Sequence, residues 1–238
     1  MITRHATRTV TIPSPGTTLF GDLAWPIGRG PVHGLTVLAH ASSGARLNPR
    51  HQALAAGLNR QGLATLLTDL LASDEDQWDA GAARARHDVA LLTERLAAVL
   101  DRVARMEVEV AALPVGVLAT GTAAAAALHA GVLLAGSPRP NGGPRPPRPA
   151  RVDAVVCRDG RPDLAAELLA DLPVPVLFLV AEHDRELREL HHVAGVGPAA
   201  LRVVSGAADL VNDAVGVEQV APLAGAWLTA RLDPAHGT

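Results

Sequence analysis

The sequence predicts an α/β fold, a doubly wound, mostly parallel sheet with helices on both faces and an antiparallel hairpin at its N-terminal end. Three observations predict it. Short apolar runs without polar alternation recur along the chain, as expected of parallel strands covered on both faces. Segments of helical spacing lie between those runs, and β–α alternation of that kind builds a parallel sheet. The 238 residues, 48% of them hydrophobic, are enough to bury one large core and fit a single domain over residues 1–238.

The hairpin comes first. Arg8 to Ile12 alternates in strand fashion, Pro13 to Gly16 reads as a turn, and Thr17 to Trp25 as the second strand. Gly34 to Ala39 (GLTVLA) is the first buried strand and opens into the polar loop HASSGARLNPR. Leu54, Leu58 and Leu63 flank a helix that Gly62 ends, and Ala64 to Leu67 form the next strand, stopping at Asp69. Ala82 to Arg105, with Val89, Leu92, Leu96, Val99 and Leu100 at helical spacing, predicts one long amphipathic helix lying across a sheet face. Val115 to Ala119 (VGVLA), a turn at Thr120 to Thr122 and the alanine-rich Ala123 to Leu133 read as strand, sharp turn and helix. Residues 136–150 (GSPRPNGGPRPPRPA) carry no apolar periodicity and predict a solvated loop insertion. The sheet resumes with Val152 to Val156, then a helix from Pro162 to Ala170, the strand Val174 to Val180, the strand Leu201 to Val204 and a C-terminal helix through Trp227.

Composition closes several function classes. A formal charge of -3 and 2% aromatics supply neither a basic face for phosphates nor a platform for stacking bases, so nucleic acid is not an expected partner. All 21 basic residues are arginine, so there is no lysine for a Schiff base or a P-loop. One cysteine, Cys157, rules out an intramolecular disulfide and a multi-cysteine zinc site, which fits a reducing cytoplasm. The N-terminal stretch has no apolar signal region and no later apolar run reaches 18 residues, so a cytoplasmic protein outside the membrane is expected.

In a parallel sheet, ligand groups gather where the loops leave the carboxyl ends of the strands. Those ends carry His40, Ala41 and Ser42; Asp69; Thr120, Gly121 and Thr122; Cys157 and Arg158; His183 and Asp184; and Asp209. Thr120 and Thr122 read as helix caps, with a displaced nucleophile as the alternative. Cys157 reads as an inert buried thiol, with a relocated nucleophile beside His183 and Asp184 as the alternative. His40, Asp69, Cys157, His183, Asp184 and Asp209 can all ligate metals but show no local ligand spacing, so neither a metal nor a cofactor is predicted.

The segments LAHASSGARLNPR, LATLLTDLL, PVGVLATGTAAAAAL, AVVCRDGRPDLA, FLVAEHD and SGAADL resemble, in order, blocks of dienelactone-hydrolase-like proteins of the α/β-hydrolase superfamily. The resemblance implies a nucleophile on a strand-to-helix elbow of the form G-x-S-x-G, which here reads Ala119-Thr120-Gly121-Thr122-Ala123. Gly121 then stands at the nucleophile position, Asp209 where the family has histidine, and only the acid, Asp184, is kept. His40 matches the first residue of a His-Gly pair that opens the oxyanion loop, and Ala41 departs from its glycine. A triad reduced in this way predicts a pseudoenzyme that binds a small molecule or a partner protein. The alternatives are a lyase, isomerase or cyclase on a small organic substrate, or a hydrolase with a relocated nucleophile such as Cys157. A homo-oligomer and an assembly role stay open. The crevice bounded by His40 to Ser42, Gly121, Thr122, Cys157, Arg158, Asp184 and Asp209 is expected to persist as a ligand-sized pocket. In it Asp184 and Asp209 would repel and raise each other's pKa unless Arg158 and His183 neutralise them.

Overall fold

The computed structural model describes residues 7–26, 30–78, 84–135 and 150–232. The predicted insertion at 136–150 lies outside them except for Ala150, as does the N-terminal stretch 1–6. Arg8–Ser14 (β1) and Thr17–Ala24 (β2) form the predicted hairpin, with Ser14 opposite Thr17 across a turn that Gly16 closes at φ 74°. Strands Gly34–His40 (β3), Leu63–Asp69 (β4), Val115–Thr120 (β5), Ala154–Arg158 (β6), Val176–Ala181 (β7) and Leu201–Val204 (β8) complete one sheet of eight strands. Its order is β1-β2-β4-β3-β5-β6-β7-β8, antiparallel where β1 meets β2 and β2 meets β4, and parallel from β4 onward.

Both faces are covered. Pro49–Asn59 (α1) starts at Asn48, whose side chain accepts from the Arg50 amide, with Pro49 in the first turn where its missing N–H costs nothing. It packs with Ala214–Leu232 (α8) over Leu38, Leu67, Leu118, Val156 and Leu179. Gly57 lets the two helices approach, since a Cβ there would stand 2.5 Å from the Ala221 Cβ. The opposite face carries Leu35, Val37, Leu66, Val117, Val155, Cys157 and Phe178 under two further helices, Val89–Ala104 (α4) and Thr122–Ala135 (α6). Successive residues of one strand therefore feed different cores, as the twofold repeat of a strand requires.

Several boundaries differ from expectation. Ser73–Trp78 (α2) and Arg84–His87 (α3) precede α4, so the helix expected over 82–105 is broken. Asp88 makes the break: it is extended (φ -82°, ψ 94°), and its carboxylate accepts from the Leu91 amide 3.0 Å away, starting α4 afresh. The strands expected from Val152 and Val174 each begin two residues later. Asp153 diverts the edge of β5 by accepting the Val115 amide on its carboxylate at 2.7 Å, and Pro175, lacking an N–H, offers β6 only its carbonyl, which accepts the Val155 amide at 3.0 Å, before the strand starts at Val176. Pro162–Leu168 is a 3-10 turn interrupted at Ala165 rather than an α-helix. Three helices were not anticipated, α2, the short Val108–Ala111 (α5) and Arg185–Val193 (α7), while α8 runs past Trp227 to Leu232. No helix among the described residues is long and apolar enough to cross a membrane.

Candidate functional site

The carboxyl edge of the sheet is built from sequence parity. Leu67, Leu38, Leu118 and Val156 are register neighbours across β4, β3, β5 and β6 and all face the α1–α8 core. Two residues further along, the same face carries Asp69, His40, Thr120 and Arg158, with Asp69 opposite His40 and Thr120 opposite Arg158. An apolar layer thus ends in a polar row. Asp69, His40 and Arg158 are nonetheless buried, so this row must settle its hydrogen bonds within the protein or with a ligand.

Asp69 settles its own. Its carboxylate accepts from the amides of Gly44 (2.9 Å) and Arg46 (3.0 Å), pinning the loop after β3. Burial raises its pKa, and those amides oppose the rise. Asp69 thus holds the loop that follows His40. His40 instead stacks on His51 of α1, ring centroids 3.9 Å apart, and leaves Nε2 buried and unpartnered. Desolvation, then the charges of His51 and Arg158, hold His40 well below the usual imidazole range, so it is neutral. Ala41 packs partly buried against the α4–α6 core, and Ser42 is half-buried in the adjoining bend.

Gly121 forms a sharp strand-to-helix turn at φ 57°, a left-handed conformation that side chains rarely adopt. Its amide donates to the Asp159 carbonyl (3.2 Å) and its carbonyl accepts from the Arg161 amide (3.3 Å), so the loop after β6 clamps the turn from both sides. A Cβ built on Gly121 would meet no atom within 4 Å. Beside it, Thr122 places its hydroxyl 3.4 Å from Nδ1 of His87, the last residue of α3, a turn expected as part of one long helix.

Cys157 does not join the polar row. It lies 0% exposed among Val155 and Phe178 on the opposite face, and desolvation alone pushes its thiol far above the ordinary range. Parity explains the correction: Cys157 and Arg158 are consecutive in β6 and must face different cores. Asp184 caps α7 by accepting the Leu187 amide at 2.9 Å, and the side chain of His183 is exposed. Asp209 curls on its own turn, accepting from the amides of Val211 and Asn212. Burial opposes its ionisation, but those amides and Arg158 outweigh that, and its pKa is lowered. The rise expected of Asp209 unless a cation intervened does not occur, and Arg158 is among the groups that hold it down. No hydrogen bond or ion pair among the described residues joins Asp184 to Asp209, and the carboxylate coupled to Asp209 is Asp159.

Asp159 is a site residue that the sequence reading passes over. It stands at φ 44°, where aspartate is one of the few side chains tolerated, and the Asp-Gly pair ending β6 is the signal that could have found it. Its carboxylate accepts from the Leu210 amide at 2.7 Å, tying the β6 loop to the Asp209 turn, and its pKa is pushed up to about 6, by burial first. Among the described residues no group of three His, Cys, Asp or Glu side chains is placed to hold a metal ion.

No family model matches the chain. A dienelactone hydrolase from Anabaena variabilis is similar in structure at TM-score 0.79 and 29% identity, covering 96% of this chain and 99% of that one. The esterase domain of a Rhodothermus marinus protein (TM-score 0.63, 18% identity) and an α/β serine hydrolase homologue from Coxiella burnetii (0.62, 15%) share the fold over 95% and 94% of the chain. The chain has the α/β-hydrolase fold. Within it, the likeness in both sequence and structure runs to the dienelactone-hydrolase-like proteins. Two Mycobacterium tuberculosis strains each carry a protein, named "Putative phosphoribosyl transferase", that is 37% identical over 202 residues, 84% of this chain. The match spans 41% of those longer proteins.

Proposed function

We propose that this chain is a non-hydrolytic binding protein on a hydrolase fold, taking a small molecule at the carboxyl edge of its sheet. Gly121 carries the reading. It keeps the left-handed turn on which such folds raise a nucleophile, and the space a side chain would fill is open, yet it offers no atom to attack a carbonyl. Asp209 supports it, because a carboxylate held ionised by two amides is a poor base near neutral pH. A fold that covers 99% of a dienelactone hydrolase, without the reactive pair, leaves the crevice to binding. The name of the longer mycobacterial relatives suits such a binder, since a region beside phosphoribosyl chemistry would meet sugar phosphates.

One observation favours a second reading. Thr122 and His87 form a hydroxyl–imidazole pair at 3.4 Å, long for a hydrogen bond but of the kind that activates an alcohol. The test is turnover of p-nitrophenyl acetate and butyrate by wild type, T122V, H87A and C157A. The expected result is no rate above the uncatalysed one in any of them. Wild-type turnover abolished in T122V and H87A together would establish the second reading and remove the first.

A further inference from the structure

Arg158 is 1% exposed and ends the polar row. The one hydrogen bond its guanidinium makes among the described residues runs from Nε to the Thr120 hydroxyl, 3.0 Å away. Nη2 is buried and has no acceptor. A buried cation is normally matched by a carboxylate, because desolvating it alone is costly. The two carboxylates whose charge it feels spend their oxygens elsewhere: Asp159 on the amides of Leu210 and Ala181, and Asp209 on the amides of Val211 and Asn212 and, through Oδ2, on the Asn212 side chain. Burial pulls the guanidinium down to about 10 against the pull of both, so its desolvation is under-compensated within the protein.

Its neighbours also await a partner. His40, on the same row, and His51 beneath it both leave Nε2 buried and bare, and both feel the charge of Arg158. His51 turns Nδ1 to the Ala45 carbonyl at 3.0 Å, which makes Nδ1 the donor and leaves Nε2 a lone-pair acceptor. Thr120, which holds the guanidinium, immediately precedes the open position over Gly121, and α6 begins one residue later, where the Ala124 amide bonds the Gly121 carbonyl at 3.1 Å and the Thr122 and Ala123 amides have no carbonyl of the helix to bond. A fork of guanidinium nitrogens beside a helix start is the arrangement that receives a planar or tetrahedral oxyanion.

We infer that the ligand of this crevice carries an oxyanion, a carboxylate or phosphate group, bound by Arg158 beside the start of α6, with a hydroxyl or other donor group of the same molecule facing Nε2 of His40 or His51. The inference deepens the binding reading and rests on it.

Thermal melting and titration calorimetry test it, using inorganic phosphate, phenyl phosphate and benzoate as probes, with benzamide as the neutral counterpart of benzoate and sodium chloride at matched ionic strength. At least one oxyanion should raise the wild-type midpoint by about 3 °C or more and bind one to one, while benzamide and chloride do not. Phenyl phosphate against benzoate tells which oxyanion is preferred. R158M should lose the shift while melting no lower than wild type in chloride, because it removes an uncompensated buried charge. Should R158M aggregate, R158K decides, since it keeps the charge without the fork and should bind about tenfold more weakly. No shift with any of the three oxyanions, or an undiminished shift in R158M or R158K, overturns the inference. Ester turnover traced to Thr122 would instead remove the non-hydrolytic reading and leave the oxyanion contact standing.

Discussion

Single side chains decide what this edge can do, and two of them give direct measurements. Cys157 is wholly buried with its thiol pushed far up, so the native protein should be inert to a disulfide reagent such as DTNB at pH 8 and release one thiol equivalent only on unfolding. Rapid reaction in the native state would put Cys157 back at the crevice. Asp159 titrates at about 6 in the fold against 3.8 for an ordinary aspartate. Between those values the folded state holds the proton more tightly than the unfolded chain, so stability falls as pH rises from about 4 to 6, by on the order of 3 kcal/mol, and stays reduced above. Asparagine tolerates the left-handed backbone at this position and can still accept the Leu210 amide. D159N should therefore flatten that part of the pH–stability curve and match or exceed wild type at pH 7.5 by denaturant unfolding. A D159N curve parallel to wild type between pH 4 and 6.5 would show that another group sets the slope.

Elements were legible where periodicity was strong, and their boundaries were set by backbone chemistry. The strand Leu201–Val204, the hairpin and the alanine-rich helix after β5 could be read because apolar runs, turn residues and alanine propensity act locally. The start of β6, the division of α4 and the existence of α7 could not. They depend on Asp153 and Asp88 capturing particular amides, and on Asp184 capping a short helix whose apolar positions, Leu187, Leu190 and Val193, stand among charged residues. At the site, the strand-end residues were legible but their facing was not; counting parity along β6 would have sent Cys157 into the core. Helix α8 bears on the site as an element. A Cβ on Gly216 would come within 2.3 Å of the Asp209 carbonyl oxygen and 2.9 Å of the Leu210 Cα. Alanine is the better helix former by about 1 kcal/mol, so propensity alone favours G216A. Packing should win. G216A is expected to lose about 2 kcal/mol or more in chemical denaturation, and a stabilised G216A would mean that the Asp209 turn yields easily.

For the whole molecule, the two cores share one sheet, and neither survives a charge placed in it. Val155 is 0% exposed between β5 and β7, so V155D should bury an unpaired carboxylate at a cost of several kcal/mol and give insoluble or unfolded protein. A soluble V155D with a wild-type melting curve would contradict the strand order at its centre. The strand order itself has a consequence for how the chain is made. After β3 and β4 have paired, each strand in turn, β5, β6, β7 and β8, joins the free edge of β3 and advances it, so this part can assemble in the order in which a ribosome releases it. The α1 side cannot finish that way. Its cover is α8, synthesised after every strand, and Gln61 waits for the Ala221 carbonyl that it holds at 2.7 Å. Until residues 214–232 emerge, the nascent chain presents a row of bare leucines and valines to solvent, an invitation to holdase chaperones that the finished sheet withdraws.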